Sequence, residues 1–110
     1  MIPLVAGDVA TGIFAGASQE KSHPSVIVSS DLYHANRPDA VVCFLTTQVA
    51  GANAPTDYVL FDWREAGLSQ PSAFRAFFVT IRKVEVSRIG RLSDADWSEV
   101  QARVKLALDV

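Results

Sequence analysis

Apolar residues fall into short runs separated by turn-forming residues, the pattern of a small all-β domain. Val9 to Phe14 reads as a first strand, and residues 15 to 23 as a loop of small and polar residues. Pro24 opens a second strand, Ser25 to Ser29, at a position where its missing N–H does no harm. One helical turn is expected over Asp31 to Asn36, stopped before Pro38. Ala40 to Thr46 is the most apolar run and reads as a central strand buried on both faces. A loop of small residues over 48 to 56 leads to a fourth strand, Asp57 to Phe61. The next turn ends at Gly67, which suits a left-handed cap. Ala73 to Ile81 and Val84 to Leu92 complete the strands.

The chain closes with a helical pattern. Ser93 begins S-x-x-D, a weak capping box, with Asp94 and Asp96 at the positive end of the helix dipole. Trp97, Val100, Val104, Ala107 and Leu108 then form one apolar stripe, with Trp97 as a core anchor. The expected fold is mainly β: a small barrel closed by one C-terminal helix.

Length and composition narrow this further. At 110 residues the chain is expected to be a single domain spanning 1–110, and 49% hydrophobic against 20% charged residues marks it as globular. One cysteine, Cys43, excludes an internal disulfide or a multi-cysteine zinc site; within VVCFL it reads as a buried thiol. Two histidines, His23 and His34, are too few for a metal site built mainly of histidines, so no metal or cofactor is expected. No basic start precedes the first apolar stretch, and the longest uncharged run, residues 40 to 56, is too polar to span a bilayer. The expectation is a cytoplasmic protein without a membrane partner.

Net charge is −2, which argues against a general nucleic-acid binder. Residues 75 to 91 nevertheless hold five cations (Arg75, Arg82, Lys83, Arg88, Arg91) against Glu85 alone, 5 − 1 = +4. They are either solvated strand faces or a phosphate-facing patch.

Glycine-rich phosphate loops, H-E-x-x-H and G-x-S-x-G are all absent. What remains is polar residues at strand ends. His23 is held extended by the proline that follows it. Thr46 and Thr47 end the strand expected to lie beside it. Arg75, among Phe74, Ala76, Phe77 and Phe78, must reach solvent, a carboxylate or a ligand. Taken alone, His23 reads as a loop residue, Thr46 as a strand former and Arg75 as a structural ion pair, each with a chemical alternative.

Gly7-Asp8-Val9, "HPSVIVSSDLY", "RPDAVVCFLTTQ", "PTDYVLFDW" and "RIGRLSDADWSEV" occur in an order and spacing that resembles the PemK/MazF family of toxins from bacterial type II toxin–antitoxin systems. The resemblance implies an SH3-like barrel with a C-terminal helix, usually a homodimer. It implies metal-independent, sequence-selective cleavage of single-stranded RNA, in which the ribose 2′-OH attacks the adjacent phosphate to leave a 2′,3′-cyclic phosphate. It also implies a cognate antitoxin, through which alone the chain would reach operator DNA. Family members carry an arginine before the strand proline and a threonine at the end of the central strand. Those positions map to His23, within Lys21-Ser22-His23-Pro24, and to Thr46.

The implied catalytic pair is His23 and Thr46, with Lys21, Thr47, Gln48 and Arg75 as RNA contacts. The departure is His23. Arginine grips phosphate with two parallel donors, whereas imidazole offers one donor per nitrogen but shuttles protons better near neutral pH. Two other readings stand beside the nuclease: a module that binds antitoxin or RNA without cutting, and a gyrase poison on the same barrel. Some relatives follow the strand arginine with an aspartate two residues later; here that residue is Phe77.

Overall fold

The computed structural model describes residues 3–13 and 22–110, with the backbone alone for Ile13, Ser22 and His23. Six strands form one antiparallel sheet: β1 (Asp8–Ile13), β2 (Ser22–Ile27), β3 (Asp39–Thr46), β4 (Tyr58–Val59), β5 (Ala73–Arg82) and β6 (Val86–Arg91). Their order across the sheet is β4-β5-β3-β2-β1-β6. Helix α1 (Asp31–Asn36) joins β2 to β3, and α2 (Asp94–Leu108) ends the fold.

Local chemistry explains most boundaries. The Ser30 hydroxyl accepts from the Tyr33 N–H to start α1, and the Ser93 hydroxyl accepts from the Asp96 N–H to start α2. Strand β2 begins earlier than expected, at Ser22, so Pro24 lies inside it, facing Thr11 of β1. The proline is tolerated because the β2–β3 ladder stops one residue short of it, at Ser25↔Phe44. Strand β4 is shorter than expected, two residues in place of five, and β6 starts at Val86 after a 3-10 turn over Lys83–Glu85.

The sheet's two faces carry two apolar clusters. The larger one gathers Val9, Val26, Cys43, Leu45 and Phe74 with Leu60, Leu68, Leu92 and Val100, so α2 and the 60–68 segment cover that face. Trp97 and Val104 pack against it as the stripe predicts, but Leu108 is half exposed and Ala107 exposed: the last turn of α2 runs past the core. The smaller cluster holds Ala10, Ile27, Ala40, Val42 and Ile81 on the opposite face.

The expected barrel is incomplete. Among the described residues β4 and β6 remain edge strands that do not pair with each other. The gap is bridged by the turn after β4. Gly67 adopts φ +87°, and a Cβ there would lie 2.5 Å from the Ile89 carbonyl oxygen; a Cβ on Gly90 would lie 2.1 Å from that of Ala66. Only glycine permits backbones to approach so closely.

Two buried carboxylates secure the ends of this architecture. Asp8 is joined by Arg88 at 3.2 Å and Arg91 at 3.3 Å, and accepts from the Val5 N–H at 2.8 Å. Asp96 is fully buried; it accepts from the Tyr58 hydroxyl at 2.6 Å and from the N–H groups of Phe61 and Asp62 at 3.1 and 2.8 Å. The sequence placed Asp96 in a capping box, but its carboxylate instead ties α2 to the segment after β4.

Candidate functional site

The strand register places His23 and Thr46 at the same end of the sheet. Along β2 and β3 the last pair is Ser25↔Phe44; two residues further out on each strand (25 − 2 and 44 + 2) stand His23 and Thr46. On one side of this position Thr46 pairs with Ala73, which pairs with Val59. On the other, His23 pairs with Gly12, which pairs with Val86. Two three-strand rows thus end at Thr46 and at His23, which stand side by side just beyond the last β2–β3 pair. Lys21 lies outside the described residues.

Thr46 ends β3 in a turn in which its Oγ1 accepts from the Gln48 N–H at 3.1 Å. The hydroxyl hydrogen remains free to donate elsewhere. Thr47 and Gln48 are exposed just beyond it. The resemblance-derived group Thr46, Thr47 and Gln48 is therefore contiguous and accessible at the strand end.

Arg75 reaches the same sheet end through an irregularity in β5. Cys43 pairs with Phe78 and Leu45 with Phe74, so Arg75, Ala76 and Phe77 stand opposite Phe44 alone. Such a bulge re-aims side chains. Phe77 stacks on Phe44 with ring centroids 5.1 Å apart and 14° between planes, yet stays 58% exposed. Arg75 is paired with a carboxylate the sequence did not nominate: its Nε lies 4.0 Å from Asp57 Oδ1.

The other cations expected to share a basic patch disperse. Arg88 and Arg91 are committed to Asp8, and Lys83 donates to the His34 carbonyl oxygen. Of the five cations, Arg75 alone is placed by the register near Thr46.

Ser25 is a further residue that sequence reasoning passed over. It lies two residues inward from His23 along β2, opposite Phe44 and Ala10, and is 2% exposed. Its hydroxyl has no hydrogen-bond partner among the described residues. His34, by contrast, is a structural histidine: Nδ1 lies 3.1 Å from the Leu4 carbonyl oxygen and Nε2 2.6 Å from the Ser29 hydroxyl. Cys43 is fully buried, and burial pushes its thiol up to about 12, so it is no nucleophile. Among the described residues no cluster of three or more His, Cys, Asp or Glu side chains could hold a metal ion, and no helix is long and apolar enough to cross a membrane.

Fold and register together define a small mainly-β protein in which Thr46, Thr47 and Gln48 follow one another at a sheet end that also carries Arg75, with the His23 backbone at the end of the neighbouring strand. The sequence matches the PemK-like, MazF-like toxins of type II toxin–antitoxin systems over residues 6–108, and the chain belongs to that family. No curated protein matches it. Among solved structures it is similar to an endoribonuclease from a mycobacterial species in complex with its cognate antitoxin, at 21% identity and TM-score 0.79 over 98% of this chain and 97% of that one. It is also similar to the Mycobacterium tuberculosis toxin MazF-mt6, at 20% identity and TM-score 0.75, covering 94% and 97%. A MazE–MazF complex from Deinococcus radiodurans matches at 13% identity and TM-score 0.77, covering 97% of each chain.

Proposed function

We propose that the protein is an endoribonuclease toxin that cleaves single-stranded RNA at the sheet end bearing His23 and Thr46. The observation that carries this reading is their adjacency. Two residues distant in sequence, each at a family site position, stand at neighbouring strand ends, with Arg75 and the exposed Phe77 on the adjoining strand beyond Thr46.

Cleavage by the adjacent 2′-hydroxyl needs a proton acceptor, a donor for the leaving 5′-oxygen and stabilisation of charge on phosphorus. His23 supplies the proton transfer, since imidazole exchanges protons near neutral pH. Thr46 donates its free hydroxyl hydrogen to a phosphate oxygen, and Arg75 adds positive charge. Thr47, Gln48 and Lys21 line the path of the strand, and Phe77 offers a ring on which a splayed base can stack. No step calls for a metal. The products are a 2′,3′-cyclic phosphate and a 5′-hydroxyl.

The mycobacterial and Deinococcus relatives were captured with antitoxins, which supports a cognate antitoxin as this chain's partner. A homodimer and contact with operator DNA only through that antitoxin follow the same reading. One observation favours a second reading: His23 occupies the place of the family arginine, which suits a chain that binds antitoxin or RNA without cutting.

Incubation with a long single-stranded RNA in EDTA separates them. Cut ends bearing cyclic phosphate support the nuclease. Absence of cutting from pH 5 to 8, with cleavage by a His23→Arg variant, establishes the binding module instead.

A further inference from the structure

Asp57 lies at the meeting point of the 48–56 loop and β5. It is the residue before β4, and the β4–β5 register Tyr58↔Phe74, continued by one residue on each strand (58 − 1 and 74 + 1), sets it opposite Arg75. Its side chain is only 6% exposed, whereas that of Arg75 is 52% exposed. A carboxylate so covered needs polar partners for its oxygens. Oδ2 accepts from the Ala54 N–H at 3.0 Å, while the Asp57 N–H donates back to the Ala54 carbonyl oxygen at 2.9 Å. Oδ1 faces Arg75 Nε at 4.0 Å.

We infer that Asp57 is a positioning residue for Arg75, an ion-pair partner 4.0 Å from Nε that orients the guanidinium so that its two terminal nitrogens face the RNA phosphate. The inference rests on the phosphate role proposed for Arg75. Geometry supports it in three ways. Among the described residues no hydrogen bond or ion pair engages those terminal nitrogens. A guanidinium paired on its Nε side still presents a parallel pair of donors, the arrangement that matches two phosphate oxygens. The anchor is fixed, because the Ala54–Asp57 exchange of hydrogen bonds ties the carboxylate to the loop.

Asp57 would thereby couple the conformation of the 48–56 loop to the aim of Arg75. Its own charge opposes phosphate, so a purely electrostatic bystander and a positioning residue differ in sign. Removing a bystander's charge tightens RNA binding whatever stands at 75. Removing a positioner weakens binding, and only while the arginine is present.

A double-mutant cycle on the full chain tests this, with 2′-O-methyl single-stranded RNA, which lacks the attacking hydroxyl and cannot be cut. Asp57→Asn keeps an acceptor for the Ala54 N–H. It is expected to weaken binding about threefold, the scale of a partly exposed ion pair's orientation. Arg75→Gln is expected to weaken it about tenfold, and adding Asp57→Asn to Arg75→Gln to cause no further loss. Thermal melts of all four proteins report any general loosening of the fold. An Asp57→Asn effect of the same factor in both backgrounds, or tighter binding in the wild-type background, overturns the positioning role alone. Unchanged binding by Arg75→Gln, or no binding by the wild type, overturns the phosphate role as well.

Discussion

Gly67 and Gly90 face each other where the turn after β4 crosses β6. Their backbones close the gap that hydrogen bonding between the two edge strands leaves open. A methyl group at position 90 would sit 2.1 Å from the Ala66 carbonyl oxygen, with backbone on both sides of the clash. Gly90→Ala is therefore expected to cost about 3 kcal/mol through forced separation of packed backbone. Melting should fall on the order of 15 °C for a domain of this size. Gly51→Ala is the control, because nothing lies within 4 Å of the Cβ it would add. Equal melting temperatures for the two variants would contradict a closed contact.

Asp96 ties α2 to the same turn through one hydroxyl and two backbone N–H donors. Asp96→Asn replaces an acceptor-only group by one carrying donors that face donors. Urea unfolding should show a loss of about 3 kcal/mol. Tyr58→Phe removes a single hydrogen bond to the charged group and should cost about 1.5 kcal/mol. A loss from Asp96→Asn no larger than that from Tyr58→Phe would show that the backbone contacts contribute little.

Burial raises the Cys43 thiol to about 12 from an ordinary 9.0. Burial, followed by the hydrogen bond to Asp96, raises the Tyr58 hydroxyl in the same direction. Both groups hold their protons longer in the folded chain than in the unfolded one. Between about pH 9 and 12 the unfolded state binds fewer protons, so stability falls as pH rises through that window. Cys43→Ala lowers stability overall but should flatten this slope. In native protein at pH 8, iodoacetamide should leave Cys43 unmodified, and in urea it should react fully. Rapid native alkylation would contradict the buried position.

Phe77 stacks on Phe44 yet leaves its outer face to solvent beside Arg75. Loss of one base-stacking ring weakens single-stranded RNA binding by about 1–3 kcal/mol. Phe77→Ala should therefore weaken binding at least fivefold, while Phe77→Trp should retain it. Unaltered affinity in Phe77→Ala would remove the ring from the RNA path.

Much of the fold was legible because its signals are local. Ser93 and Ser30 cap their helices, Gly67 takes the left-handed conformation, and the apolar run of β3 lies at the middle of the sheet order. The site was only half legible. Thr46 fits the pattern the resemblance implies and His23 departs from it, and the register sets the two at neighbouring strand ends. Asp57, Ser25, the Phe44–Phe77 stack and the three hydrogen bonds that Asp96 accepts depend on which residues tertiary structure brings face to face, and on a two-residue bulge in β5. Nothing in residue type or spacing announces those. The closed barrel failed for a related reason: a two-residue β4 offers too little ladder to pair with β6.

The pH dependence of single-turnover cleavage tests the central role of His23 most directly. The measurement uses wild type, His23→Arg and His34→Asn with single-stranded RNA in EDTA between pH 5 and 8. Imidazole ordinarily titrates near pH 6.5, so the wild-type rate should change about tenfold across this range. His23→Arg should cleave with that dependence removed, and His34→Asn should retain it. A wild-type rate with the same pH profile as His23→Arg, or cleavage only by the arginine variant, would contradict proton transfer by His23.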